Sequence, residues 1–397
     1  MRSVEEALDT ILASAHLTGV ERLPLDRCVG RVPATFTLTA AMDVPPFANS
    51  AMDGFALRAA DAPGTLRLAG EVAAGDAELP EVTPRTTVRI MTGAPLPPGA
   101  DAVVPLEEAE ESDGQVRVPA TRPGAHVREA GHDTRAGEAV ELPRDPLTPA
   151  AVAVLASLGV AELEVRRRPR VAILSTGDEL RSPGEQLRPG QIYDANSPAL
   201  AAAVIEAGGE PVVLPRAPDA PAVVERLVRE GVKRADLLVA SGGVSVGRHD
   251  HVRDAIEHLG RLDFWRIAVQ PGKPLAFGSV AERMVIGLPG NPVSALVTFE
   301  LFGRPLLRAM LGLSGSGRPV LPVTLVDRLP KDRDRRAYLR VRVERGPDGP
   351  VARSAGGQQS SQLRSMADAN ALLIVPEGEE AGEPGRTYQA LLLGAMG

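Results

Sequence analysis

The sequence predicts a multi-domain chain of class α/β plus β, with a mostly parallel α/β domain in its middle, a β-rich domain inserted before it and a β domain after it. Three observations carry this. The 397 residues exceed one ordinary hydrophobic core. Residues 171–310 alternate short apolar strands with helix-length segments, and both flanks alternate apolar with polar residues between Gly, Pro and Asp punctuation.

Each element has its own signal. A helix from about Val4 to His16 repeats apolar residues at Val4, Ala7, Leu8, Ile11, Leu12 and Ala15, and Ser3 with Glu6 forms a capping box ahead of it. From Pro45 to about Asp145 the short runs TLRLAGEV, TTVRIMT, ADAVVPLEE and QVRVPA read as strands. A helix opens with Thr148 as cap and Pro149 in its first turn, and stops at Gly159. Val171 to Leu174 is a strand running into STGDEL, followed by a helix capped near Ser197 with Pro198 at its first position. PVVLPR is the next strand, and the helix Ala220 to Val232 has Asp219 as a candidate cap. DLLVASGGVSVG is a strand entering a Gly-rich loop, with a helix from about Asp250 to Leu259 behind it. MVIGLPGNPVSALVTFELF repeats the device with Asn291 as cap and Pro292 at the first position. Alternation at these lengths implies right-handed crossovers and a largely parallel sheet. Leu311 to Pro319 reads as a linker, and VTLVDRL, YLRVRVE, VARSA, ALLIVPE and TYQALLL beyond it as strands.

Composition removes several function classes. Aromatic residues at 3% and a net charge of −7 argue against a general nucleic-acid binder, while leaving room for a local basic pocket. The single Cys28 allows neither an internal disulfide nor a cysteine metal cluster. The start MRSVEEALDTIL lacks the apolar run of a signal peptide, and the longest uncharged stretch, Pro149 to Ala161, falls short of the roughly 20 residues a membrane span needs. A cytoplasmic protein without membrane or nucleic-acid partners is expected. The run Arg166 to Arg170 reads as a solvated domain junction.

Ligands of open parallel sheets bind beyond the carboxyl ends of the strands. Three loops fall there: Ser175-Thr176-Gly177-Asp178-Glu179, Ser241 to Gly247, and Leu288 to Ser294. Their glycines admit close backbone approach, and helix starts behind them favour an oxyanion. None is a Walker loop or a GxGxxG fingerprint, so neither ordinary nucleotide hydrolysis nor hydride transfer is indicated. Asp53, Asp178, Glu179 and Asp250 are either Mg2+ ligands beside an anion or caps and solvated surface. His249-Asp250-His251 lacks a third nitrogen ligand and does not read as a metal site. Lys273, at the centre of AVQPGKPLAF, is one of three lysines among 44 basic residues. Residue chemistry alone reaches an Mg2+-assisted binder or transferase for a phosphorylated or oxyanionic small molecule.

The motifs PPFANSAMDGFALR (45–58), IMTGAPLPPGADAVVPLEE (90–108), VREAGHDTRAGE (127–138), STGDEL (175–180), DANSP (194–198), SGGVSVG (241–247), QPGKP (270–274) and LPGNPVSA (288–295) follow one another in the order of a known family. The chain resembles the molybdopterin molybdenumtransferases, the bacterial MoeA proteins and the E domain of gephyrin, over nearly its whole length. The resemblance implies a homodimer of elongated subunits with four domains: 1–44 with 131–168, a β-rich insert 45–130, an α/β molybdopterin-binding domain 169–312, and a β domain 318–397. It implies Mg2+-dependent insertion of molybdate into adenylylated molybdopterin with release of AMP. Molybdopterin adenylyltransferase, or a non-catalytic pterin-binding scaffold, are the alternatives.

Carried over by motif, Asp53, Thr92, Asp133, Glu179, Asp250 and Lys273 are the implied catalytic residues. Asp53, Thr92 and Asp133 are expected to reach the partner subunit's pocket. Substrate contacts fall to Ser175, Thr176, Gly177 and Asp178, to Ser241, Gly242, Gly243 and Ser245, and to Pro289, Gly290 and Asn291. Molybdate falls to Lys273, Ser294 and Arg340, and Mg2+ to Asp250 and Glu179. Asp219 is a weaker match, and Ser361 or Ser365 is placed at the pocket by a loose alignment. Transient contacts with the adenylyltransferase and with apo-molybdoenzymes are further expected partners. Two residues depart from the pattern: Gln270 stands where Lys is common, and so does Arg266. The consequence is weaker oxyanion attraction, a different oxyanion such as tungstate, or compensation by Arg248.

Overall fold

A computed structural model describes residues 1–244 and 250–396, so Ser245, Arg248 and His249 lie outside the described residues. The chain forms two compact units, residues 22–165 and residues 1–21 together with 166 onward.

In the unit 22–165, a six-stranded sheet runs in the order Ala102–Pro105, Gly54–Leu57, Thr86–Ile90, Gly64–Val72, Gln115–Val118 and Glu110–Ser112. Phe55, Leu57, Leu66 and Val104 fill one face and Ala56, Val88, Ile90 and Val103 the other, as alternation along a strand requires. The helix Pro149–Ser157 begins as its sequence indicates, with the Thr148 side chain accepting the Ala151 N–H.

The other unit is organised on β1 (Arg170–Ser175), β2 (Glu210–Val213), β3 (Leu237–Ser241), β4 (Gly260–Trp265), β5 (Ala276–Val280) and β6 (Arg283–Leu288). Their order is β2-β1-β3-β6-β5-β4. The pairs β2/β1, β1/β3 and β3/β6 are parallel, whereas β6/β5 and β5/β4 are antiparallel. Val171, Ile173, Leu237 and Val239 face one core, with the helix Asn196–Glu206; Ala172, Leu174, Leu238 and Ala240 face the other, with the helices Pro221–Arg234 and His251–Leu259. Helices therefore cover both faces, the condition for burying parallel strands. The first helix, Val4–Ala13, has its capping box in place and buries Val4, Ala7 and Ile11 in the first of these cores.

The antiparallel edge was not legible in the sequence. β5 turns into β6 through Ala281 and Glu282 at φ of 48° and 61°. That tight hairpin lacks the Gly or Asn that normally announces one. Two helix starts also differ from expectation. The helix after β1 begins at Asn196, where Asp194 rather than Ser197 accepts the first N–H groups. Asp219 does not cap Pro221–Arg234; its own N–H donates to Asp178 instead.

The C-terminal strands close into a barrel. Arg336–Gly346, Gly349–Ser354, Val320–Leu325, Thr387–Leu392 and Ala371–Val375 pair in sequence, and the last pairs back to the first. The two-residue strand Val269–Gln270 joins this sheet in parallel, Gln270 opposite Ala337. The QPGKP turn thus hangs between the α/β sheet and the barrel. The α/β plus β class is borne out.

Candidate active site

Register explains why three distant loops meet. Ser175 of β1 lies opposite Ser241 of β3, and Ser241 lies opposite Leu288 of β6, so three parallel strands end at one level. The loops that follow enclose a cleft of about 450 Å3, lined by Thr176, Gly177, Glu179, Asp219, Ser241, Gly242, Gly243, Pro289, Gly290 and Asn291. Gly242 sits at φ 91°, and a Cβ there would stand 2.7 Å from the Thr176 hydroxyl, so the close approach of these loops needs glycine.

Side chains behind the wall tie the loops together. Asn196 Nδ2 donates to Ser241 Oγ at 2.5 Å and to the Gly290 carbonyl at 2.7 Å. Asp194, 8% exposed, accepts from the N–H groups of Asn196 and Ser197, each at 3.0 Å. It also accepts from the hydroxyls of Ser197 at 2.5 Å and Ser175 at 3.3 Å. Ser175 is therefore a wall brace. Replacing Asp194 with Ala removes a helix cap and strands several donors, and should lower unfolding stability by about 2–4 kcal/mol in denaturant titrations. A loss below about 0.5 kcal/mol, the level of an ordinary surface substitution, would count against this bracing role.

A second cleft, of about 960 Å3, shares Pro274, Pro289 and Asn291 with the first. Gln270, Lys273, Ser294, Arg335 and the loop Gly356 to Ser361 line it. Lys273 is exposed and Ser294 is 4% exposed. No partner of the Lys273 ammonium is seen among the described residues. Arg335 is held by Asp332, whose Oδ2 accepts from Nε at 3.0 Å and Nη2 at 2.5 Å.

Arg340 is placed differently from Lys273 and Ser294. It is 0% exposed and lies behind the cleft wall, donating to the carbonyls of Gly357 at 2.7 Å and Gln359 at 3.0 Å and to Ser365 Oγ at 3.1 Å. Burial pushes its guanidinium down to about 10. It shapes the loop that borders the cleft, and Ser365 is buried with it, whereas Ser361 is on the cleft wall.

The remaining expected residues divide clearly. Glu179 is on the first cleft, while Asp178 is exposed and accepts the Asp219 N–H at 3.1 Å. Asp250 is 3% exposed, with a carboxylate oxygen 3.5 Å from Arg253. Among the described residues no group of three or more His, Cys, Asp and Glu side chains is placed to hold a metal ion. In the unit 22–165, Gly54 pairs with Ile90, which brings Asp53 and Thr92 together just beyond the paired strands. Asp53 Oδ1 accepts from the Thr92 N–H at 2.6 Å and hydroxyl at 2.7 Å. These bonds, the amide first, hold the Asp53 carboxyl below its ordinary range. Asp133 is exposed, its N–H donating to the Val44 carbonyl at 2.9 Å.

Sequence reasoning gave no role to Asp194 and Asn196, although both lie in the motif DANSP, and none to Arg335. An Asp two residues ahead of a helix is a cap signal that could have identified the first. Arg335 carried no signal of its own beside Arg336 and Arg340.

Residues 2–159 match the MoeA N-terminal region (domain I and II), 172–309 the probable molybdopterin binding domain, and 322–393 the MoeA C-terminal region (domain IV). Molybdopterin molybdenumtransferase 2 of Mycobacterium tuberculosis is 40% identical over 394 residues, 95% of this chain and 96% of that protein. The molybdopterin molybdenumtransferase of Haemophilus influenzae is 40% identical over 299 residues, 74% of each chain. The crystal structure of a molybdopterin biosynthesis MoeA protein from Pyrococcus horikoshii superposes with a TM-score of 0.84 at 32% identity, over 99% of both chains. With three family regions in order and a likeness that spans both units, the chain belongs to the molybdopterin molybdenumtransferase, or MoeA, family.

Proposed function

We propose that this enzyme of molybdenum cofactor biosynthesis inserts molybdate into adenylylated molybdopterin with release of AMP. The observation that carries the reading is the pair of adjoining clefts. The glycine-lined one at the strand ends suits the phosphate-bearing pterin, and the one beside it offers Lys273, Arg335 and the Ser294 hydroxyl to a tetrahedral oxyanion. Pro289 and Asn291 border both, so the two substrates can be held side by side.

The first cleft suits Mg2+. Glu179 and Asp219 are on its wall and would offer carboxylate oxygens, and Mg2+ is commonly held by one or two carboxylates with substrate phosphate completing the shell. Asp250 is engaged with Arg253 and contributes less directly. Bound there, Mg2+ would offset the negative charge of the phosphoanhydride. The Gly242 and Gly243 backbone lets the substrate approach, Lys273 attracts the oxyanion, and Asp194 and Asn196 hold the loops in place.

The working unit in this reading is a cytoplasmic homodimer, in which Asp53, Thr92 and Asp133 complete the partner's pocket. It meets the adenylyltransferase and apo-molybdoenzymes transiently. The division into 1–44 with 131–168, 45–130, 169–312 and 318–397 belongs to the same reading. Among the described residues no helix is long and apolar enough to cross a membrane.

The test supplies purified protein with adenylylated molybdopterin, molybdate and Mg2+. AMP release together with activation of an apo-molybdoenzyme is expected. Absence of both would sink the reading, and transfer of AMP from ATP to molybdopterin would establish the adenylyltransferase alternative.

A further inference from the structure

We infer that Gln270 is a positioning residue for the oxyanion cleft, acting as an acceptor that fixes Arg335 through Asp332. The inference rests on the proposed oxyanion role of that cleft. Gln270 ends the short strand paired in parallel with Arg336–Gly346 and lines the cleft with Lys273 and Arg335. Its side-chain oxygen accepts the Asp332 N–H at 2.7 Å across a sequence separation of 62. Asp332 in turn closes its own turn, Oδ1 accepting the Asp334 N–H at 2.9 Å, and grips Arg335 through Oδ2.

The chain of contacts runs from the QPGKP turn to the barrel edge and returns a cation to the same cleft. One turn thus controls two positive charges. Lys273 is carried on it directly, and Arg335 is set by it at one remove. The link needs an acceptor at position 270. A lysine has three donors and no acceptor, so it would add charge to the cleft while releasing the Asp332 amide.

This separates a positioning role from a simple matter of charge. Gln270→Met keeps length and removes the acceptor; Gln270→Lys removes the acceptor and adds a cation. If Gln270 positions Arg335, both variants should raise KM for molybdate about threefold, leave kcat near wild type, and speed hydrogen exchange at the Asp332 amide. Arg335→Ala should raise KM about tenfold, with Gln270→Met adding nothing in that background. Gln270→Glu, which restores an acceptor, should restore slow exchange.

Unchanged exchange at Asp332 in Gln270→Met would overturn the latch whatever the protein's activity. A lowered KM in Gln270→Lys would show that charge at this position matters and positioning does not, and additive effects of Gln270→Met and Arg335→Ala would show that Gln270 does not act through Arg335; either result overturns the inference. Wild-type protein that releases no AMP with molybdate would instead refute the functional reading, leaving the exchange measurement to decide the latch.

Discussion

Mixing an Asp53→Ala chain with a Glu179→Ala chain should restore about a quarter of wild-type AMP release, although each variant alone loses about a hundredfold or more. The arithmetic follows from the proposed two-fold dimer with shared pockets. Random re-pairing makes about half the dimers mixed, and each mixed dimer has one pocket with both carboxylates and one with neither. Asp53 and Glu179 belong to different compact units, and each has a distinct local role: Asp53 is fixed by two bonds from Thr92, while Glu179 stands on the wall of the first cleft. Subunit exchange would be verified by mass, followed by the assay. Continued inactivity of a verified mixture refutes sharing.

Lys273→Ala should raise KM for molybdate about tenfold or more, with a far smaller change in kcat, because it removes the charge-assisted contact proposed for the oxyanion. Lys273→Arg should not restore the wild-type value. The turn is packed tightly: a Cβ at Gly272, which sits at φ 114°, would stand 2.3 Å from the Thr298 methyl group. The Ser294 carbonyl beneath it accepts the Thr298 hydroxyl at 2.6 Å. Lys presents a point charge with three rotatable donors and Arg a planar fork, so the exchange alters the donors offered to a tetrahedral oxyanion although the charge is kept. The effect should weaken as salt rises, since Lys273 is exposed. Steady-state kinetics against molybdate concentration checks both variants, and an unchanged KM in Lys273→Ala would remove this residue from the oxyanion site.

Arg340 illustrates the limits of residue type. A basic residue in a matching motif looked like an anion ligand, yet its strand buries it completely, and it has become a brace for Gly357 and Gln359. Arg335 lies one residue before the same strand and remains on the cleft wall. Chemistry is alike at both positions; only the path of the backbone separates them. Gln270 teaches the same lesson. Read as a missing charge in sequence, it is in the fold an acceptor bonded to Asp332.

The sequence by itself determined the α/β alternation, the glycine-rich strand ends, the Ser3/Glu6 and Thr148 caps, and the motifs that place the chain in its family. These are local properties, written in apolar periodicity and in residues with special backbone freedom, so neighbours in sequence suffice to express them. Tertiary structure alone decided the antiparallel edge β4 to β6, the closure of the C-terminal barrel, the Asp194 and Asn196 braces, and the choice of Arg335 over Arg340 at the cleft. Each of these depends on strand register and on side chains brought together from distant segments, and no local pattern encodes such pairings.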